Sequence, residues 1–115
     1  MRTVVLQSFL VAALLSLAPS AHAQVLYGSI IGSVQDQSGA MVVGADISIT
    51  SKDTGVTRET KSNEAGLYNF ANVQAGTYDL KVTSQGFRTV TRTGVIAAIN
   101  EVTRAEIRLV VGATS

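Results

Sequence analysis

The sequence predicts an all-β fold, a seven-stranded antiparallel β-sandwich preceded by a signal peptide. Three observations carry that reading. From Tyr27 onward, apolar and polar residues alternate with period two, the mark of strands with one buried face. Clusters of Gly, Asp, Asn and Ser recur about every 8–12 residues, the turn spacing of a sandwich built from short strands. No window sustains the apolar period of about 3.6 residues that a helix needs.

The first strand runs from Tyr27 to Val34, punctuated by Gly28 and Gly32. Asp36-Gln37-Ser38-Gly39 is a turn, because Asp bonds its own backbone two residues on and Gly accepts positive φ. Ala45, Ile47 and Ile49 then point one way, with Asp46, Ser48 and Thr50 opposite. After the turn Lys52-Asp53-Thr54-Gly55, Val56 to Lys61 is polar and charged, which suits an edge strand. Asn63-Glu64-Ala65-Gly66 turns into Leu67 to Val73, where Tyr68 and Phe70 share a face. Thr77 to Ser84 alternates cleanly, with Tyr78, Leu80 and Val82 in and Asp79, Lys81 and Thr83 out. Gln85-Gly86 turns into Phe87 to Thr93, and Gly94 to Glu101 is irregular. The last strand sets Thr103, Ala105, Ile107 and Leu109 against Arg104, Glu106 and Arg108. Ile47, Ile49, Tyr68, Phe70, Tyr78, Leu80, Val82, Phe87, Ile107 and Leu109 are expected to share one interior, since a one-residue slip would expose a strand's whole apolar set.

Residues 1–23 read as a leader. Met1-Arg2-Thr3 supplies one positive charge, Val4 to Leu17 is largely apolar, Pro19 stops a helix, and Ala21-His22-Ala23 is the small-x-small pattern of signal peptidase. The apolar run is shorter than the roughly 20 residues of a spanning helix. Cleavage between Ala23 and Gln24 leaves a domain over residues 24–111 and a tail over 112–115, and the mature chain is expected to have no membrane span. The only Pro and the only His depart with the leader, as does one of the nine Lys+Arg, which then match the eight Asp+Glu. A neutral chain with interspersed signs lacks the basic footprint of a nucleic-acid binder. There is no Cys, which excludes disulfides and a lipid anchor on an N-terminal Cys. A domain of this size buries only about 60–65% of its unfolded surface, so one well-made core must hold it.

Little catalytic chemistry remains. A zinc site needs His, Cys or acidic ligands around an open position, and the mature chain keeps neither His nor Cys. Its Ser and Thr hydroxyls lack an imidazole base, and no Ser-Lys arrangement stands out. Asp36, Asp53 and Glu64 fall in turns, where capping explains them, and no segment gathers the six to eight oxygens that calcium prefers. Gly28-x-x-x-Gly32 has the wrong spacing for a phosphate loop and no helix after it. Gly39, Gly55, Gly66 and Gly86 read as turn residues with positive φ. The chain is therefore expected to be no enzyme and to need no cofactor or metal.

Taken in order, Gly32-Ser33-Val34-Gln35-Asp36-Gln37-Ser38-Gly39-Ala40, Val43-Gly44-Ala45-Asp46-Ile47-Ser48-Ile49, Asn63-Glu64-Ala65-Gly66-Leu67-Tyr68-Asn69-Phe70, Ala75-Gly76-Thr77-Tyr78-Asp79-Leu80-Lys81-Val82 and Gly86-Phe87 form a set. That set resembles the carboxypeptidase regulatory-like domain, a transthyretin-like (prealbumin-like) sandwich, over Gly28 to Leu109. Members of that family often carry Pro where this chain has Val43 and Gln74-Ala75, and losing each Pro costs about 0.5–1 kcal/mol through the unfolded state. A leader followed directly by this domain also resembles the N-terminus of Oar-like TonB-dependent outer-membrane receptors. The resemblance implies a non-catalytic structural or interaction domain, the N-terminal extension of such a receptor or a truncated or stand-alone copy from one, periplasmic, outer-membrane associated or secreted. Its partner would be another protein or the rest of a receptor, which in that family continues beyond the positions of Val110-Val111-Gly112-Ala113. Because the fold also resembles starch-binding-like sandwiches, the alternative is a secreted carbohydrate-binding module. Tyr27 is then the one candidate ligand contact, since Tyr68 and Tyr78 lie in phase with the core.

Overall fold

The computed structural model describes residues 26–112. The leader, its cleavage site at Ala23 and Gln24, and the last three residues of the tail lie outside the described residues. Eight strands follow one another: β1 (Tyr27–Gln35), β2 (Asp46–Ser51), β3 (Thr57–Lys61), β4 (Leu67–Gln74), β5 (Gly76–Thr83), β6 (Val90–Ala97), β7 (Val102–Arg104) and β8 (Ile107–Arg108). One sheet has the order β4-β1-β7, with β8 also on β1, and the other has the order β3-β2-β5-β6. The all-β sandwich expected from the alternation is the fold observed.

Two features depart from a seven-stranded antiparallel plan. The last strand is split into β7 and β8, and both pair with β1 in parallel. They share one register, since Ile31 faces Arg104 and, three residues on in each strand, Val34 faces Ile107. Between them the backbone ladder lapses, and the Ser33 N–H donates to a Glu106 carboxylate oxygen at 2.9 Å. Alternation reports which face a residue takes but says nothing of strand direction, so the parallel pairing was not readable from it.

The sixth strand shares Val90 to Thr93 with the expected Phe87 to Thr93 but starts later and runs further. Phe87 makes only an isolated bridge to Val111, and the strand runs through Gly94 to Ala97. The pairing shifts between Tyr78–Val95 and Leu80–Arg92, which leaves one extra residue in β6, and Gly94 at φ 74° sits in it. A glycine in the left-handed region inside a strand marks a bulge, so Gly94 bends the strand instead of ending it. The matching irregularity between β1 and β4 places Asn72 at φ 54°.

The interior is continuous. Nine of the ten expected core residues are buried, and Phe87 is half-buried against them. Ile30, Val34, Ala45, Val73, Val95 and Ala97 complete the cluster. Phe70 meets Tyr68 edge to face with ring centroids 6.1 Å apart. Arg58 of edge strand β3 lies 5.8 Å over the Phe70 ring and donates to the Asn72 carbonyl of β4 at 3.2 Å. One side chain thus ties the two sheets together along their open flank.

β1 carries the chain from one pole of the sandwich to the other. Leu26 and the start of β1 share their pole with the β6–β7 turn, where Asn100 N–H donates to the Tyr27 carbonyl at 2.9 Å. Gly112 lies at the far pole, donating to the Gly86 carbonyl at 3.0 Å.

Candidate functional site

The tightest junction in the domain lies where β1 crosses the break between β7 and β8. Gly32 faces the interior beneath Ala105, and a Cβ there would stand 1.9 Å from the Ala105 carbonyl oxygen and 2.6 Å from the Tyr68 hydroxyl. That hydroxyl donates to the same Ala105 oxygen at 2.5 Å. Burial, helped by the nearby Glu106 charge, pushes the Tyr68 phenol up to about 12. On the outer side of β1, Ser33 hydroxyl and backbone N–H both donate to Glu106. The Ser33 hydroxyl bond holds the Glu106 carboxyl below its usual range, with the Ser33 N–H and Arg104 adding to it. Gly28 makes a second close crossing, where a Cβ would stand 2.2 Å from the Ala98 carbonyl oxygen. The two glycines read as punctuation in the sequence are the points where β1 is pressed against its neighbours. Glu106 and Ser33 were missed as partners because alternation placed Glu106 opposite the apolar set of its own strand and gave no reason to join it to a residue 73 positions away.

The outer sheet faces carry shallow depressions, the first mainly polar and the second mixed. On β3-β2-β5, a recess of about 380 Å³ is lined by Asp46, Ser48, Glu59, Lys81 and Thr83. On β4-β1-β7, one of about 370 Å³ is lined by Ile31, Asn63, Leu67, Asn69 and Arg104. Tyr27 is not among the lining residues of either. It opens β1 and is 42% exposed, beside exposed Leu26 and near Ile99 of the β6–β7 turn and Val102 at the start of β7. Tyr68 and Tyr78 are buried with their hydroxyls committed to the Ala105 and Gln74 carbonyls. Tyr27 is therefore the tyrosine whose ring is open to a ligand.

Of the three turn acids Asp36 caps its turn, whereas in the turn of Glu64 the capping acceptor is Asn63 Oδ1, and the three do not meet. Asp36 accepts from the Ser38 N–H at 2.8 Å, the Ser38 hydroxyl at 2.6 Å and the Ala40 N–H at 3.1 Å. The Ser38 hydroxyl bond is the main cause of its lowered pKa. Asp36 and Glu64 lie toward the pole where β1 ends, and Asp53 lies in the β2–β3 turn beside Gly76 at the other. Among the described residues, no group of three or more His, Cys, Asp or Glu side chains converges. Among them, too, no helix is long and apolar enough to cross a membrane.

The architecture is a two-sheet β-sandwich closed by a parallel strand. The match to known families is direct: the chain belongs to the carboxypeptidase regulatory-like domain family, whose profile covers residues 29–110. No curated protein matches the sequence. Among solved structures, the domain is similar to a putative carbohydrate binding protein from Bacteroides uniformis, at 22% identity and a TM-score of 0.59 over 70% of this chain and 40% of that one. It is similar to the major pilin SpaD of Corynebacterium diphtheriae, at 15% identity and a TM-score of 0.57 over 81% of this chain and 32% of the pilin. It is also similar to hydroxyquinol 1,2-dioxygenase from Pseudomonas putida, at 9% identity and a TM-score of 0.60 over 80% of this chain and 59% of the enzyme. The chain spans less than two thirds of each of these proteins, and at such identities the likeness is one of fold.

Proposed function

We propose that this domain is a non-catalytic structural and interaction module of an exported bacterial envelope protein, the N-terminal extension of a TonB-dependent outer-membrane receptor. The observation that carries the reading is the leader pattern of residues 1–23 set almost directly before the family match at residues 29–110. The domain spans residues 24–111 in this reading, and its contact surfaces are the polar outer faces of the two sheets. Fractionation of the native cells followed by N-terminal sequencing tests export. The expected result is a chain beginning at Gln24 in the envelope fraction, and an intact Met1 chain in the cytoplasm refutes it. Immunoblotting tests the receptor: a band far above the 12.0 kDa of this chain supports it, and a band at or below that mass refutes it.

The half-exposed ring of Tyr27 favours a second reading, a carbohydrate-binding module, because sugar rings stack on accessible aromatics. Retention on a glycan array that is lost in Tyr27→Ala puts this reading first. Uniform absence of retention removes it.

A further inference from the structure

We infer that the domain is a tension-bearing link, built so that a pull on its two chain ends loads the β1–β7–β8 ladder in shear. The inference rests on strand geometry and is independent of the cellular location proposed above. Tension entering at Leu26 draws β1 toward one pole, and tension leaving through Gly112 draws β7 and β8 toward the other. These strands are parallel neighbours in a single register, from Ser29 facing Val102 to Gln35 facing Arg108. Their hydrogen bonds therefore lie across the pull and are strained together. Strands pulled apart from the same end lose such bonds one at a time.

The contacts along this path are short and varied. Beyond the strand ladder, Ser29 N–H donates to the Glu101 carbonyl at 3.0 Å, Ala105 N–H to the Ile31 carbonyl at 2.8 Å, and Leu109 N–H to the Gln35 carbonyl at 2.7 Å. Where the backbone ladder lapses, the Glu106 carboxylate takes both Ser33 donors, and the Tyr68 hydroxyl locks the Ala105 carbonyl from beneath. Gly28 and Gly32 hold no side chain that would keep β1 from seating against Ala98 and Ala105. Past the ladder, Arg88 N–H donates to the Val110 carbonyl at 2.8 Å, so the exit segment is also tied to the stretch that leads into β6. Forced unfolding is governed by the barrier to unfolding, and that barrier rises with contacts that must break in concert.

Single-molecule pulling on the full chain tests this. In one arrangement, handles are fused before Met1 and after Ser115. In the other, one handle is attached at Gln37→Cys, unique because the chain has no native Cys, and the second after Ser115. Gln37 follows β1 at the Gly112 pole, so this second pull peels β1 from β8. The expected result is a severalfold higher unfolding force for the end-to-end pull at equal loading rate. Equal forces in the two arrangements overturn the inference. Glu106→Ala is expected to lower the end-to-end force and leave the peeling force nearly unchanged. Lys61→Ala, which removes only the Lys61–Asp46 pair at 2.5 Å on the β2–β3 edge, is expected to change neither. A fall of both forces alike in Glu106→Ala means general destabilisation and counts against the clamp.

Discussion

Replacing Gly32 by alanine adds one methyl group at the place where the structure has no room for it. The new carbon would lie 1.9 Å from the Ala105 carbonyl oxygen and 2.8 Å from its carbonyl carbon, whereas real Cβ atoms essentially never come within 3.0 Å of such neighbours. The nearest neighbours are the Ala105 backbone and, at 2.6 Å, the hydroxyl of the buried Tyr68, so the backbone contact cannot be relieved by a side chain swinging away and β1 must part from the β7–β8 junction. Overpacking of this kind costs about 1–3 kcal/mol. The shift also pulls the Ala105 carbonyl from the buried Tyr68 hydroxyl, and an unmet buried group costs about 1–3 kcal/mol more. The sum, roughly 2–6 kcal/mol, compares with a total stability on the order of 5–10 kcal/mol. Gly39→Ala is the control: its φ is +88° and nothing lies within 4 Å, so only the left-handed backbone is penalised, by about 1–2 kcal/mol. In urea melts, with m near 1–3 kcal/mol/M, the Gly32 variant should lose about 2 M of midpoint at the centre of these ranges, or fail to fold. A Gly32→Ala midpoint above that of Gly39→Ala would refute the crossing described here.

Phe70→Ala should cost about 3–5 kcal/mol in the same melts, since it empties a fully buried site and removes the ring under Arg58. Asp79→Ala and Lys81→Ala on the outer face should each change stability by no more than about 0.5 kcal/mol. Asp79 contributes little because its Oδ1 has no hydrogen-bond donor and Lys52 stands 3.6 Å away in a half-exposed pair. Tyr68→Phe should cost about 1–3 kcal/mol by stripping the Ala105 carbonyl of its buried donor. Glu106 adds a pH dependence whose sign follows from its depressed pKa: its stabilisation is full above the ordinary carboxylate value of 4.5 and is lost as pH falls through the lower folded value. Thermal melts from pH 7 down to pH 3 should show Glu106→Gln losing less stability on acidification than wild type, and equal slopes would refute the assignment.

The facing of nearly every strand was legible because period two is a local signal, and the Ile47–Ile49 and Tyr78–Leu80–Val82 sets could hardly lie otherwise. The positive φ of Gly39, Gly55, Gly66 and Gly86 was legible for the same local reason. Gly94 misled, since a glycine that bends a strand and one that ends it look alike until the partner strand is known. Strand direction, the split at Ala105–Glu106 and the meeting of Ser33 with Glu106 depend on chain segments far apart, and no local pattern encodes them. Tyr27 was singled out as the aromatic out of phase with the core, and it is exposed.

The place of β1 in the middle of its sheet also sets an order of events during folding. The second sheet grows from near neighbours in sequence; Asp46 and Lys61, paired across β2 and β3, are 15 positions apart. Ser33 and Glu106, joined across β1 and β8, are 73 positions apart. Closing the longer loop costs roughly 1.4 kcal/mol more in chain entropy. The domain therefore has a high contact order, and its first strand is among the last to be sealed. A chain synthesised from its N-terminus holds β1 with one flank unpaired until the segment through Leu109 has emerged. For that interval the strand with the most buried positions in the sandwich is open to misplaced pairing, and a chain cut short before Leu109 stays in that condition.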